Sequence, residues 1–439
     1  ALLPALPGLF SFRKNTFRLS RRDGFSLVFL TWVLMSLLGA LPYYLSGGGI
    51  SFTDAVFESC CGFATTGGTT ITDIEALPRS LLLWRSVSHW AGGMGIILLS
   101  VALVPLLGAG GFRLIKAEIP GPDKEKLTPR VTATAKLLWF CYCVLTVVLI
   151  LLFRLGGMDW FDALCHGLTT MASGGVSTKN AGLAFYNSAF IDWVCTVFML
   201  LAGLNFNLYY RLLKGKFSDI LTNSEGRAYL GIFLAASAVV TLTLTPVYGS
   251  PGTALRYAAY QCASILSTTG ASTADYETWP SLARMVLLCL MFCGGCSGST
   301  AGGIKVIRLV VLFKQGGNEL RRLLYPRGIF SIRLNRKVGR KDVIYGTAGF
   351  VFLYLLVILI TTLFTAASAE QTGMDLFSSF SAAISITGNI GLGFGAIGPG
   401  RNYAPFPDYL KWLFSFVMIA GRLELWTVFI LFTPEFRRR

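Results

Sequence analysis

Charge is scarce in this chain. Of its 439 residues only 14% are Asp, Glu, Lys or Arg, against 54% hydrophobic, and mean hydropathy is +0.62. Soluble domains carry about 25% charge, so a soluble globular protein is excluded and a polytopic membrane protein is left. Histidine is almost missing. His89 and His166 stand alone, which leaves no set of ligands for a metal centre. The ten cysteines form no disulfide framework: Cys60, Cys61, Cys141, Cys143, Cys165, Cys195, Cys262 and Cys289 fall in apolar stretches, where they act as small apolar residues. Cys293 and Cys296 make a lone CxxC with no second pair. Asp, Glu, His and Ser do not cluster within the apolar runs, which argues against an intramembrane enzyme. No nucleotide motif is present, because Gly303-Ile304-Lys305-Val306 lacks the Gly-Lys-Ser/Thr ending of a phosphate-binding loop. Ala1–Phe10 is apolar, lacks the basic start of a signal peptide, and reads as the end of a longer membrane segment.

What the chain does have is long apolar runs. Spans are expected near 25–46, 81–107, 137–155, 186–213, 229–247, 281–313, 343–366 and 407–433. Between the members of each pair lies a shorter helical stretch, near 52–64, 159–172, 252–266 and 374–387. These are too short to cross and are read as re-entrant. Of the 38 Lys and Arg, 29 fall in segments 13–22, 113–136, 211–227, 305–341 and 437–439. The loops beside the re-entrant stretches carry Asp54, Glu58, Asp73, Glu75, Asp159, Asp162, Asp275 and Glu277. This asymmetry puts the pair linkers and carboxyl tail in the cytoplasm and the acidic loops outside, where they would concentrate cations. It also explains the net charge of +16 without nucleic acid. The basic segment 305–341 suits lipid headgroups or a cytosolic partner.

Each re-entrant stretch ends in a variant of one tripeptide: Thr65-Thr66-Gly67, Ser173-Gly174-Gly175, Thr268-Thr269-Gly270 and Asn389-Ile390-Gly391. Twelve residues before each final glycine stands a small residue, Ala55, Ala163, Ala258 or Ser379. Fifteen before stands a large apolar one, Phe52, Trp160, Leu255 or Leu376. The glycines are 108, 95 and 121 residues apart, so the units are diverged internal repeats. The fold expected is an all-α polytopic membrane protein of four repeats, each span, pore loop, span, in pseudo-fourfold array around one pore. The divisions are 1–12 as a remnant of an upstream segment, then 13–112, 113–216, 217–341 and 342–439. An ion entering such a filter exchanges water for backbone carbonyls, and glycine relaxes the backbone that must present them. The carbonyls of the four tripeptides would form the rings.

The third inner span is anomalous. Gly294-Gly295-Cys296-Ser297-Gly298-Ser299-Thr300-Ala301-Gly302-Gly303 cannot be a stable helix in lipid, so these residues should line the pore below the filter. Arg422 lies deep in the last span, and a buried ionisable residue there is a functional candidate. Glu424 is two residues on and faces another side of the helix, which makes it a poor direct partner.

Several of these segments carry a family resemblance. The run from Ser51 to Gly68 resembles the first pore loop of the Trk/Ktr/HKT superfamily of potassium transporters. Gly294 to Lys305 resembles the broken third-repeat helix of its bacterial TrkH-type branch, and Ala202 to Asn207 and Gly421 to Glu424 resemble that branch's other inner helices. The resemblance implies potassium uptake, by channel-like flux or cation-coupled symport, with loop 294–303 as an intramembrane gate and Arg422 in the permeation path. It implies a homodimer in the bacterial inner membrane with a cytosolic, nucleotide-binding partner of the TrkA type. Glycine at all four filter positions favours potassium over the sodium passed by relatives with serine at one of them.

Overall fold

The computed structural model describes residues 21–103, 127–213, 215, 222–335, 337–338, 341–368 and 373–437. The expected remnant 1–12 and basic segment 13–20, with most of linker 113–136, lie outside them. Four times the chain runs outer helix, short helix, extended segment, inner helix. The first unit is α1 (Arg21–Tyr44), α2 (Phe52–Ala64) and α3 (Arg79–Leu103). The second is α4 (Leu127–Leu155), α5 (Trp160–Met171), α6 (Ala189–Gly203) and α7 (Phe206–Leu213). The third is α8 (Ser224–Tyr248), α9 (Pro251–Leu266), α10 (Ser281–Met291) and α11 (Val306–Leu324). The fourth is α12 (Lys341–Ala366), α13 (Leu376–Thr387), α14 (Asp408–Arg422) and α15 (Leu425–Phe429). A small hairpin of β1 (Arg333–Leu334) and β2 (Lys337–Val338) pairs Arg333 with Val338 and Leu334 with Lys337.

The short helices start where a side chain can take the first free backbone N–H groups. Ser51, Asp159 and Asp375 accept from the N–H three residues on, of Asp54, Asp162 and Ser378, at 3.1, 2.8 and 2.9 Å. The third instead begins with Pro251, whose missing N–H costs nothing at that position. With 12 to 16 residues each they extend about 18–24 Å, short of the ~30 Å hydrocarbon core. The pattern around each filter glycine now has a structural meaning. Ala55, Ala163, Ala258 and Ser379 are buried, while Phe52, Trp160, Leu255 and Leu376 face outward.

Each short helix packs on its own outer helix and on the inner helix of the preceding unit: α5 on α3, α9 on α6, α13 on α10 and α2 on α14. The series closes on itself. Among the described residues, four helices are long and apolar enough to cross a bilayer, namely Arg22–Tyr44, Thr134–Leu155, Ser224–Tyr248 and Asp342–Ala366.

The inner helices depart from expectation. Segments 186–213 and 407–433 read as continuous spans, with only the third inner helix broken. In the structure α6 and α7 meet at 94°, and α14 and α15 at 112°. The first turn is held by one local bond and one remote one. Asn205 accepts from the Asn207 N–H at 2.9 Å, and the Gly298 carbonyl accepts from the Phe206 N–H at 3.0 Å. At the other bend Glu424 takes a left-handed φ of 63°. Hydropathy averages over such turns, because they interrupt the hydrogen-bond ladder without interrupting the apolar run.

Candidate permeation site

The four short helices end in one motif. The residue two before each glycine is left-handed: Thr65 at φ 52°, Ser173 at 58°, Thr268 at 54° and Asn389 at 57°. The next residue donates to the carbonyl five back: Thr66 to Cys61 at 2.9 Å, Gly174 to Thr169 at 2.8 Å, Thr269 to Ser264 at 2.8 Å and Ile390 to Ser385 at 2.9 Å. Together with the shorter bonds from Thr65, Ser173, Thr268 and Asn389 to the carbonyls three back, this is a Schellman cap repeated four times. Its left-handed position is usually glycine, and here it never is. Sequence reasoning missed it by assigning the conformational demand to the glycines alone.

That assignment holds for Gly175, Gly270 and Gly391, with φ of 62°, 72° and 94°. Gly67 is not left-handed, and its demand is for space. A Cβ there would stand 3.0 Å from the Ile390 carbonyl oxygen, 3.1 Å from that of Gly174 and 3.2 Å from that of Thr269. It would project among carbonyls of the three other repeats. A Cβ on Gly175 would strike the Thr269 carbonyl, one on Gly270 the Ile390 carbonyl, and one on Gly391 the backbone of Gly67. The four tripeptides therefore converge and touch in a closed ring. The Asn389 amide joins its ends by donating to Thr66 Oγ1 at 3.0 Å and to the Met418 carbonyl at 2.9 Å. One carbonyl departs from the expected rings: that of Gly391 accepts from the Tyr403 hydroxyl at 2.9 Å.

Behind the ring lie polar groups that the sequence did not single out. Glu58, expected in an acidic outer loop, is buried. One carboxylate oxygen accepts from Thr69 Oγ1 and the Thr70 N–H, both at 2.6 Å, and the other from Arg85 Nε at 3.1 Å. Arg85 also reaches the Ser177 carbonyl, at 3.4 Å, and so couples the first two repeats. Asp162, also counted among the outer acids, accepts from Thr178 Oγ1 at 2.7 Å and the Tyr186 hydroxyl at 2.6 Å. His166 is hydrogen-bonded on both sides, to the Asp162 carbonyl at 2.8 Å and Ser177 Oγ at 2.9 Å. The ring of His89 fills the space a side chain on Gly174 would need. The signal available for Glu58 and Arg85 was a charge inside an apolar helix, which must find a partner. Asp73 stays exposed, and the Asn180 side chain holds its carboxyl below the usual range.

Residues 294–303 hang directly beneath the ring. Thr300 Oγ1 and Ser173 Oγ are 2.6 Å apart, and the Gly302 N–H donates to Thr268 Oγ1 at 2.7 Å. A Cβ on Gly302 would collide with the Gly388 carbonyl and Asn389. The irregular backbone is not left bare. Gly294 donates to the Ile304 carbonyl at 2.7 Å, Cys296 to that of Gly203 at 2.8 Å, and Ser297 to Glu225 Oε1 at 2.6 Å. Lys305 bonds the Ala301 carbonyl. Arg422 is buried, and its Nη1 donates to the Thr300 carbonyl at 2.5 Å. Its Nε and Nη2 have no hydrogen-bond partner among the described residues. Glu424 pairs instead with Arg308. Loop and arginine, both expected at the gate, are hydrogen-bonded to each other.

The profile of a family described as "Cation transport protein" matches residues 5–437. The Trk system potassium uptake protein TrkH of Salmonella typhimurium is 39% identical over 97% of this chain and 88% of its own length. The Trk system potassium uptake protein TrkI of Halomonas elongata is 36% identical over 94% of this chain and 84% of its own. The crystal structure of the potassium transporter TrkH from Vibrio parahaemolyticus superposes with a TM-score of 0.90 at 36% identity, covering 100% of this chain and 90% of that one. The closed series of four membrane units and these likenesses together establish that the chain belongs to the TrkH family of cation transport proteins.

Proposed function

We propose that this chain conducts potassium ions into the cell through the ring formed by Thr65–Gly67, Ser173–Gly175, Thr268–Gly270 and Asn389–Gly391. The observation that carries the reading is the convergence of four backbone segments whose glycines leave room only for one another's carbonyls. Carbonyls at such a constriction can replace water around a cation of low hydration energy. The helix carboxyl ends at Thr65, Ala172, Ser267 and Gly388 lead into the ring, so their partial negative charge favours cations. The relatives' names support potassium as the ion.

Loop 294–303 with Arg422 is the gate in this reading. Its hydrogen bonds to Ser173 and Thr268 support a place across the path at the inner side of the ring. The units 13–112, 113–216, 217–341 and 342–439 are the repeats. The linkers between them face the cytoplasm of a bacterial inner-membrane protein, where the basic segment 305–341 meets a TrkA-type nucleotide-binding subunit, and the chain works as a homodimer. The test is tracer uptake in cells lacking their own potassium uptake. Expression should restore potassium accumulation at low external potassium and prefer potassium to sodium. Equal or greater sodium uptake would favour the second member of the class, a sodium-permeable or sodium-coupled transporter.

A further inference from the structure

The fourth filter segment is held differently from the second and third. In the second and third repeats a hydroxyl six residues before the filter glycine reaches the carbonyl one residue beyond it. Thr169 Oγ1 donates to Val176 at 3.0 Å, and Ser264 Oγ to Ala271 at 2.6 Å. The equivalent hydroxyl in the fourth repeat is Ser385. It is buried beside the Tyr403 hydroxyl and donates to no filter carbonyl. Two tyrosines act in its place, one residue out of phase. Tyr403 donates to the carbonyl of Gly391 itself at 2.9 Å, and Tyr276, from the third repeat, to that of Gly393 at 2.7 Å. Both tyrosines are fully buried. The side-chain bonds on this segment therefore fall at 391 and 393, where those on the second and third fall at 176 and 271. Among the described residues, nothing donates to the carbonyls of Gly67, Gly175 or Gly270.

Tyr403 cannot swing away easily. Its ring is fixed against Phe57, Phe406 and Phe414, its edge occupies the space over Gly68, and its backbone N–H donates to the Thr69 carbonyl at 2.7 Å. A hydroxyl so placed competes with any ion for the Gly391 carbonyl. We propose that Tyr403, seconded by Tyr276, is a specificity-determining positioning residue that withdraws the fourth repeat's glycine carbonyl and leaves a threefold ring at that level. The inference rests on the uptake reading above and names what limits discrimination within it. Three carbonyls compensate dehydration less completely than four, so water remains at that level and sodium is tolerated more than in a fourfold ring.

The experiment compares potassium and sodium tracer flux, normalised to inserted protein, for the full chain and for Tyr403→Phe, Tyr276→Phe and Ser385→Ala. Tyr403→Phe removes one hydroxyl and frees the carbonyl. Discrimination for potassium over sodium should rise about fivefold, the ratio corresponding to a hydrogen bond of ~1 kcal/mol. Ser385→Ala should leave the ratio near that of the full chain, since that hydroxyl holds no filter carbonyl. An unchanged or lowered ratio in well-inserted Tyr403→Phe overturns the proposal, as does a rise in Ser385→Ala as large as that in Tyr403→Phe. If Tyr403→Phe fails to insert, Tyr276→Phe decides: a smaller rise in the same direction supports the strap, and a wild-type ratio overturns it. Wild-type protein with no expression-dependent potassium flux would sink the uptake reading itself, an outcome distinct from an unaltered ratio in a working transporter.

Discussion

A Cβ on Gly67 would stand 3.0–3.2 Å from carbonyls of the three other repeats, so any side chain there must displace the groups that would coordinate an ion. Gly67→Ser should lower potassium-over-sodium preference by about tenfold, equivalent to ~1.4 kcal/mol of ion discrimination, with the protein still inserted. A normal flux ratio in that variant would remove Gly67 from the filter. Arg422 offers a second measurement. A fixed charge about 8 Å from a permeating cation opposes it by roughly 2 kcal/mol at an effective dielectric of about 20. The same side chain also anchors the Thr300 carbonyl. Arg422→Ala removes both effects and should raise potassium flux about tenfold or more. Arg422→Gln keeps a donor and drops the charge. If charge is the barrier, Gln should match Ala; if the anchor dominates, Gln should stay near wild type. A destabilised protein with normal flux per molecule would end the pore assignment. Glycines and a lone deep arginine were legible because their composition is anomalous in a membrane helix. Tyr403, Tyr276 and His89 were not, since an aromatic residue in an apolar run looks the same whether it packs against lipid or against a filter strand.

The short helices were legible as elements: 52–64, 159–172, 252–266 and 374–387 were expected, and Phe52–Ala64, Trp160–Met171, Pro251–Leu266 and Leu376–Thr387 are found. Their caps and their length against the bilayer are local properties, and local properties survive in sequence. The bends after Gly203 and Arg422 did not, because hydrogen-bond partners that hold them lie in loop 294–303, which is remote in the chain. In the proposed reading that loop obstructs the path. Deleting Ser297–Ala301 should raise potassium flux several-fold with insertion intact, and unchanged or abolished flux in an inserted variant would refute the gate. The clamp between α2 and α3 should behave in the opposite way. Glu58→Gln leaves Arg85 buried and uncompensated, and breaking such a pair typically costs about 3–5 kcal/mol. Yield and thermal stability in detergent should fall sharply. Glu58→Gln combined with Arg85→Met should recover most of the loss, and absence of recovery would mean that the pair is not a closed unit.

At the scale of the molecule the charge asymmetry predicts sidedness. A cysteine at exposed Ala181 should react with an impermeant maleimide in intact cells, whereas one at exposed Gly316 on α11 should react only after the membrane is opened. The reverse pattern would invert the topology and the direction of the proposed gate. The pseudo-fourfold order was legible in the recurrence of the tripeptides. The particular bonds that join the last unit to the first were not, since they link residues more than 300 positions apart. That closure is dense. Gly67 donates to Ile390 at 3.2 Å, Tyr403 to Thr69 at 2.7 Å, and Lys411 bridges to Asp54 at 2.7 Å. It bears on biosynthesis. At about 5–20 residues per second, Gly391 leaves the ribosome roughly 16–65 s after Gly67. Until then the first pore loop sits in the bilayer without its neighbour on one side, its Thr66 hydroxyl and Asp54 carboxylate waiting for groups not yet translated. The nascent chain therefore passes through a stage with a half-built polar cleft open to lipid, and premature termination even after three complete repeats would strand it there as a substrate for membrane proteolysis.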